Sequence, residues 1–223
     1  MDLLTELQTY PKLGLRALAE FELEADQMKA FRDFPFGEEE GQKEQFSALN
    51  YARLQSSGFS VLLAHGGTQQ FFFQQHLNKV VLRNMIAREV LKGNYKWSWS
   101  LTTGSSFTPA ESFRFAEAFW GAVVQVSKGQ HSLSPSLVSV NDPAVVVFRY
   151  GADSGRLTVW LMNYSGEGRQ AELSFAATLR SCRRVNLEGN PMTGDSALLD
   201  GSGKTVKLSL SPWEIAALDL QCK

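Results

Sequence analysis

The sequence predicts a mainly β fold, built of one or more antiparallel β-sandwiches, with a single short helix near residues 109–121. Three observations carry this prediction. Apolar and polar residues alternate in many short segments, turn-forming residues separate these segments, and one stretch alone shows apolar side chains at helical spacing. Alternation with a period of two is typical of half-buried strands, and frequent Gly-rich turns are typical of sandwiches.

Composition sets the outer limits of the interpretation. The chain has 223 residues, of which 43% are hydrophobic and 20% charged, so it has ample length for one large β domain or two smaller ones. A formal net charge of -1 argues against nucleic acid or an anionic membrane as a partner. No apolar run approaches the ~20 residues of a membrane span.

The first residues of the chain and its two cysteines are the features that relate to its cellular compartment. Residues 1–6 lack the basic start and apolar core of a signal peptide, which favours a soluble, cytoplasmic protein. If the chain is a piece of a longer protein, this feature says nothing about the parent's destination. Two cysteines do not make a disulfide framework, and although Cys182 and Cys222 lie in the last two predicted strands and could approach each other, we predict that both are free, buried thiols.

The first predicted strand runs from Leu15 to Glu24. Ala, Leu and Glu also favour a helix here, but the strict alternation favours a strand. Its glutamates, Glu20, Glu22 and Glu24, are interpreted as a solvated strand face and not as a catalytic cluster.

Further strands are predicted before the middle of the chain. Residues 28–37 form one that ends in Phe-Pro-Phe-Gly, and the charged segment 38–44 follows as a solvated loop without the spacing of a calcium site. Residues 59–64 and 70–74 are predicted to pair as a hairpin around His65, Gly66 and Gly67. Residues 77–83 form the next strand.

The most pronounced alternation places four apolar side chains on one side of a strand, namely Tyr95, Trp97, Trp99 and Leu101. Trp97 and Trp99 are the carbohydrate-contact candidates, because an indole ring can stack on the apolar face of a sugar. The alternative is that these rings fill the sandwich core, since each can bury a large area.

The predicted helix begins at a compact cap and ends near Gly121. Thr108 is the N-cap, Pro109 the first helical residue and Glu111 the third, and apolar residues follow at helical spacing. We expect this helix to cover an open edge or end of a sheet. The polar loop 127–135 is the best domain boundary, which gives units 1–128 and 129–223, unless the chain is one continuous domain.

The last third of the chain has the clearest strand pattern. Residues 144–149 and 157–162 are predicted to form a hairpin, and further strands are predicted at 171–175, 184–187 and 206–210. Pro212, Trp213, Glu214 and Ile215 then turn the chain into a final apolar strand.

This ending resembles the C-terminus of family 38 glycoside hydrolases, the class II α-mannosidases. The resemblance lies in Asn186-Leu187-Glu188, in Ser211-Pro212-Trp213-Glu214-Ile215, and in the segments 136–140, 144–147 and 157–164. It is weaker before Gly129, where the segments 9–15 and 28–37 are similar to the family's first C-terminal sandwich. It implies that the chain is the all-β C-terminal region of an α-mannosidase-like enzyme.

The same resemblance implies that the parent protein cleaves α-mannosides with retention and holds Zn²⁺ in a catalytic domain through two His and two Asp. None of the three histidines, His65, His76 and His131, forms the His-x-Asp pair of that site. We therefore expect no catalytic residue, metal ligand or cofactor in this chain. The expected partners are the parent's catalytic domain and mannosides. The alternatives are a free-standing carbohydrate-binding module and a protein-interaction sandwich.

Overall fold

The computed structural model describes residues 4–10, 14–25, 27–35, 37–41, 44–76, 79–87, 97–120, 137–153, 156–192 and 197–223. The chain forms two compact units, Met1–Ala122 and Val123–Lys223. The predicted boundary between residues 128 and 129 lies outside the described residues and stays a prediction.

The first unit contains ten strands and one helix among its described residues. They are β1 (Leu4–Tyr10), β2 (Gly14–Leu23), β3 (Lys29–Phe34), β4 (Gly37–Glu40), β5 (Gln45–Ser47), β6 (Tyr51–Gln55), β7 (Ser60–His65), β8 (Gln70–His76), β9 (Lys79–Ala87), β10 (Trp99–Gly104) and α1 (Pro109–Trp120).

Two five-stranded antiparallel sheets make up this unit, with the strand orders β1-β2-β9-β8-β5 and β10-β7-β6-β3-β4. Their facing sides enclose one core, to which the first sheet contributes Phe21, Phe71 and Leu82, and the second Leu54 and Leu63. The predicted strand at 15–24 is confirmed as β2, because burying Ala19 and Phe21 on one face outweighs the helix propensity of the segment.

The helix begins as the sequence predicts. The backbone N–H of Thr108 donates to Glu111 Oε2 at 2.8 Å, and the N–H of Glu111 donates back to Thr108 Oγ1 at 3.2 Å. This reciprocal capping box satisfies two N–H groups that the first turn would leave unpaired. The helix covers a sheet face and not an edge, because Ala116 packs with Tyr51 and Leu62 of the central strands β6 and β7.

The predicted hairpin between residues 59–64 and 70–74 is wrong. Both strands exist, but β7 pairs with β6 and β10 in one sheet, whereas β8 pairs with β9 and β5 in the other. All six residues of β7 are buried, because one side faces the sandwich core and the other faces α1. The glycine turn after His65 therefore carries the chain from one sheet to the other.

The predicted solvated loop at 38–44 is also wrong for its first part, because Glu38, Glu39 and Glu40 belong to β4. Each of these carboxylates forms an ion pair with a cation on another strand of the sheet, Glu39 and Glu40 on the adjacent β3 and Glu38 on β6. Glu40 contacts Lys29 at 3.0 Å, Glu39 pairs with Arg32, and the buried Glu38 pairs with the buried Arg53. Cross-strand pairing thus turns an acidic run into a sheet edge.

The second unit contains, among its described residues, eight strands in two four-stranded antiparallel sheets, ordered β11-β14-β17-β16 and β12-β13-β18-β15. They are β11 (Val138–Val140), β12 (Val145–Asp153), β13 (Arg156–Asn163), β14 (Arg169–Phe175), β15 (Leu179–Val185), β16 (Leu198–Leu199), β17 (Thr205–Leu210) and β18 (Ile215–Cys222).

Most of the strands predicted here from alternation are confirmed. β12 and β13 pair as the predicted hairpin. Leu157, Val159 and Leu161 of β13 are buried in the core of this unit together with Val206, Leu208 and Leu210 of β17. β15 begins at Leu179 rather than at Arg184. The prediction of antiparallel β-sandwiches with one short helix is confirmed for the part of the chain that the structure describes.

Candidate functional site

The two tryptophans proposed as sugar contacts occupy different environments. Trp99 opens β10, its ring meets Phe21 edge-on at 6.2 Å, and its Nε1 donates a hydrogen bond to Asn84 Oδ1 at 3.0 Å. Trp97 precedes the strand and is 37% exposed. Trp99 is thus held against the core, and Trp97 offers the more accessible ring. A sugar contact at either residue stays a prediction, and Tyr95 of the same pattern lies outside the described residues.

His65 is an unusual buried polar residue. It ends β7, it is 0% exposed, and neither ring nitrogen makes a hydrogen bond of normal geometry. Its ring meets Phe71 edge-on at 5.3 Å. Burial lowers the pKa of His65 to about 4, although the nearby backbone of Ala48 acts weakly in the opposite direction. The imidazole is therefore neutral at physiological pH.

The other histidines do not join His65 in a cluster. His76 is exposed at the end of β8, and His131 lies outside the described residues. Throughout the ranges given above, no three His, Cys, Asp or Glu side chains lie close enough together to hold a metal ion.

Asp33 is a buried carboxylate with a structural role. It accepts hydrogen bonds from the backbone N–H groups of Leu49, Asn50 and Tyr51, at 2.8, 2.9 and 3.2 Å to Oδ1. Burial raises the pKa of Asp33, and these N–H donors oppose that rise. The carboxylate thereby fixes the connection between β5 and β6. No sequence signal marks it, because its partners lie 16–18 residues away.

Glu38 and Arg53 form a deeply buried ion pair in the first unit, with side chains 3% and 5% exposed. Tyr51 donates its hydroxyl to Glu38 at 3.0 Å, and the guanidinium of Arg53 lies 4.0 Å over the ring of Phe31. Gln55 accepts a further hydrogen bond from Arg53. Glu38 and Arg53 thus both have further partners besides each other, and the ion pair links β4 to β6.

The C-terminal pattern that resembles family 38 forms a clamped turn. Glu214 accepts the N–H of Ser211 at 2.6 Å and pairs with Arg184, whose side chain is only 3% exposed. Trp213 adopts a φ of 57°, which is rare for a non-glycine residue. Its N–H donates to the Ser165 carbonyl at 3.1 Å, and its ring packs edge-on against Tyr164 at 5.8 Å. These contacts hold the strained turn between β17 and β18.

The two cysteines are free, as predicted, but both are only partly buried. Cys182 lies in β15 and Cys222 in the neighbouring strand β18. Burial, with a contribution from the charge of Asp219, raises the pKa of Cys182 to about 12. Its thiol is therefore protonated at physiological pH and is a poor nucleophile or metal ligand.

A wide groove of about 1610 Å³ opens at one end of the first sandwich. Strand ends and turns supply most of its lining, including Gln55 and Phe59 around the β6–β7 turn and Gln74 near the end of β8. Lys29 and Glu40 also border the groove, where they pair with each other. Sequence reasoning missed this site, because its residues come from separate, weakly patterned segments.

The described residues contain no helix that combines the length and the apolar character of a membrane span. α1, at 12 residues, is much shorter than the ~20 that a span requires.

Comparison with known proteins supports the resemblance seen in the sequence. Residues 148–218 match the model of the glycosyl hydrolases family 38 C-terminal beta sandwich domain. This matched range includes most of β12, half of β18 and every strand described between them. The match confirms the resemblance to the C-terminal β-sandwich region of family 38. No curated protein matches the sequence.

Two solved structures share the fold over 93% of this chain. One is an α-mannosidase from Enterococcus faecalis V583, with a TM-score of 0.64 and 13% identity. The other is a protein in the glycosyl hydrolase family 38 from Enterococcus faecalis, with a TM-score of 0.63 and 12% identity. At such identities the likeness concerns the fold. The chain spans 26% of the length of each of these proteins.

Proposed function

We propose that the chain is the non-catalytic C-terminal β region of an α-mannosidase-like glycoside hydrolase. It supports a catalytic domain that lies elsewhere in the same protein or in a partner polypeptide, and its loops help to wall the sugar site. The observation that carries the proposal is the family match over residues 148–218, within a fold shared with an α-mannosidase over 93% of the chain.

The geometry of the matched segment supports a scaffolding role. Glu214 lies in the turn between β17 and β18, where it forms an ion pair with Arg184 and accepts a hydrogen bond from the N–H of Ser211. Asp219, on the following strand, pairs with Arg156 at 2.7 Å and with Arg183 at 2.6 Å. Carboxylates with these partners stabilise the sheet and are poorly placed to serve as an acid and a nucleophile for one sugar.

In this proposal, the catalytic domain of the parent protein carries out the hydrolysis and binds the metal ion. The family resemblance implies retaining hydrolysis of α-mannosides with Zn²⁺ as cofactor. The described residues do not fit such a metal site, since His65 is buried in an apolar setting and His76 stands apart at the end of β8. Zinc needs three or four converging ligands, and we assign it no role in this chain.

Co-expression with the polypeptide encoded directly upstream tests the proposal. We expect the two segments, joined or separate, to purify as one species that hydrolyses 4-nitrophenyl α-mannoside. We expect the 223-residue chain alone to be inactive with or without added Zn²⁺. Metal-dependent mannosidase activity in the purified chain alone would contradict its non-catalytic role. An upstream polypeptide that neither binds the chain nor cleaves mannosides would contradict the assigned parent.

A further inference from the structure

A short hairpin continues β15 beyond its last residue in the second unit. It consists of residues 186–192, all of which are exposed, and a bridge between Val185 and Pro191 closes its base. Residues 187–189 form its tip. This 186–192 hairpin contains the segment 186–188, which is one of the two segments by which the end of the chain resembles family 38.

The tip of the hairpin is held in one conformation by its own hydrogen bonds. Asn186 Oδ1 accepts the N–H groups of Glu188 at 3.0 Å and of Asn190 at 2.9 Å, and the N–H of Asn186 donates to the Asn190 carbonyl at 2.8 Å. Gly189 adopts a φ of 89°, which a residue with a side chain rarely adopts. Backbone and amide groups thus fix the tip, and the side chain of Leu187 takes no part in these bonds.

The base of the hairpin is tied to the second segment that resembles family 38. Arg184 makes this link, because its carbonyl accepts the N–H of Met192 at 3.2 Å and its buried guanidinium pairs with Glu214 in the turn between β17 and β18. The segments 186–188 and 211–215 therefore belong to one connected support.

This support presents apolar side chains to water. Leu187 is 63% exposed at the tip, and Met192 is 43% exposed at the base. A single exposed leucine is common on protein surfaces and needs no explanation by itself. Leu187 differs because the fixed backbone holds it away from the sandwich core. An apolar side chain on a loop that is ordered before binding loses little conformational entropy on association, which favours a role in an interface.

The size of the related proteins indicates what covers this surface. The α-mannosidase of known structure shares the fold over 93% of this chain, yet the chain spans only 26% of that protein. Interfaces between domains of one protein bury roughly 600–1,500 Å², which is more than one hairpin supplies, so Leu187 would anchor a larger contact. Both segments of the support lie within the matched range 148–218.

We propose that the 186–192 hairpin is a docking element that inserts Leu187 into an apolar recess of the parent's catalytic domain, with Met192 at the margin of the contact. The inference rests on the proposed function, because the partner is the catalytic domain assigned there. It gives the residues that resemble family 38 separate tasks: Asn186 shapes the tip, and the pair of Arg184 and Glu214 supports the base.

The test is calorimetric titration of the separately expressed upstream polypeptide with the 223-residue chain. Leu187→Asp should weaken binding about tenfold or more, because it removes buried leucine surface and brings a carboxylate into an apolar recess. Leu187→Met should bind nearly as the unmodified chain does, because methionine is apolar and of similar volume. Mannosidase activity of the Leu187→Asp mixture should fall at limiting concentrations and recover when the chain is in large excess.

Leu198→Asp is the matched control. Leu198 is also 63% exposed, but it lies in β16 opposite Lys207 and outside the hairpin, so its replacement should leave binding unchanged. Unchanged melting temperatures would show that the variants remain folded. The proposal is overturned if Leu187→Asp binds undiminished, if Leu198→Asp weakens binding equally, or if Leu187→Asp acts only by abolishing self-association of the chain, which would make a second copy the occupant.

This result is separable from that of the proposed function. A mixture that is active and binds Leu187→Asp as tightly as the unmodified chain would remove the docking inference alone. An upstream polypeptide that neither binds the unmodified chain nor cleaves mannosides would overturn the assigned parent, and the docking inference with it.

Discussion

His65 carries the clearest energetic consequence of any single residue. Its imidazole is fully buried beside Phe71, and neither nitrogen makes a hydrogen bond of normal geometry. An unpaired buried polar group destabilises a fold by about 1–3 kcal/mol relative to a satisfied one. A charged imidazole at this position would be more unfavourable still, because the apolar surroundings cannot solvate it.

The stability of the first unit should therefore depend on pH through His65. The folded-state pKa of about 4 lies below the unfolded value of 6.5, so the unfolded chain binds the additional proton between these values. The contribution of His65 to stability is complete above pH 6.5 and is lost as the pH falls towards 4. Urea unfolding at several pH values should show a loss of up to about 3 kcal/mol from this residue.

His65→Leu should remove this part of the pH dependence, because leucine fills an apolar site and carries no titrating group. His76→Leu serves as the matched control, since His76 is exposed and the substitution also removes one histidine. We expect the control to follow the unmodified chain. If His65→Leu also loses stability with the same slope between pH 6.5 and 4, His65 is not the responsible group.

At the scale of elements, the alternation of apolar and polar residues predicted those strands well that have one buried face and one solvent-exposed face. β17 is such a strand, with Val206, Leu208 and Leu210 buried and Lys207 and Ser209 exposed. The helix could also be predicted, because its cap depends on residues that are adjacent in the sequence.

Pairing between strands could not be predicted in the same way. β7 is buried on both faces, so its sequence carries no mark of which sheet it joins. β4 is a strand because it pairs with β3, the strand directly before it, and because its glutamates meet cations on β3 and β6. The first error concerns segments that are distant in the chain, and the second concerns cationic partners on other strands that the acidic run itself does not reveal.

The turn between β17 and β18 contains the segment 211–215, which resembles family 38, and its contacts explain why a glutamate stands there. Glu214 holds the turn through Ser211 and neutralises Arg184, whose side chain is 3% exposed. Replacement by alanine would leave a buried guanidinium without its carboxylate. Glu214→Ala should therefore lower the free energy of unfolding by about 3 kcal/mol, measured by urea denaturation.

An exposed ion pair in the same unit provides the control for this substitution. Glu172 pairs with Lys207 at 3.2 Å, and these side chains are 40% and 64% exposed. Glu172→Ala should change stability by less than about 1 kcal/mol, because water screens such a pair. Equal losses in the two variants would mean that burial of Arg184 does not set the strength of the Glu214 contact.

At the scale of the whole molecule, the candidate sites were less predictable than the fold. The sequence marked Trp97 and Trp99 by their spacing, yet Trp99 is held against the core by Phe21 and Asn84. The groove of the first unit combines residues between Glu24 and His76 that no single motif links. A site built from several turns is specified by the tertiary structure, and local patterns do not reveal it.

The arrangement of the histidines leads to a prediction about metal binding by the whole chain. His65 ends β7 and packs against Phe71 near the start of β8, whereas His76 ends β8, five residues or roughly 16 Å further along that strand. These two rings cannot share a metal ion whose ligand bonds are about 2 Å long. Cys182 cannot readily help, because its pKa of about 12 keeps the thiol protonated.

Melting temperatures measured in EDTA and in Zn²⁺ at about 100 µM should therefore differ by no more than about 1–2 °C. A ligand that binds only the folded state stabilises it by RT ln(1 + [L]/Kd), which is about 2.7 kcal/mol when the free metal is a hundred times Kd. For a chain of this size such a gain raises the melting temperature by roughly 5–10 °C. A rise of that order, reversed by EDTA, would show that the chain holds a metal site of its own and that the catalytic metal need not lie in a separate domain.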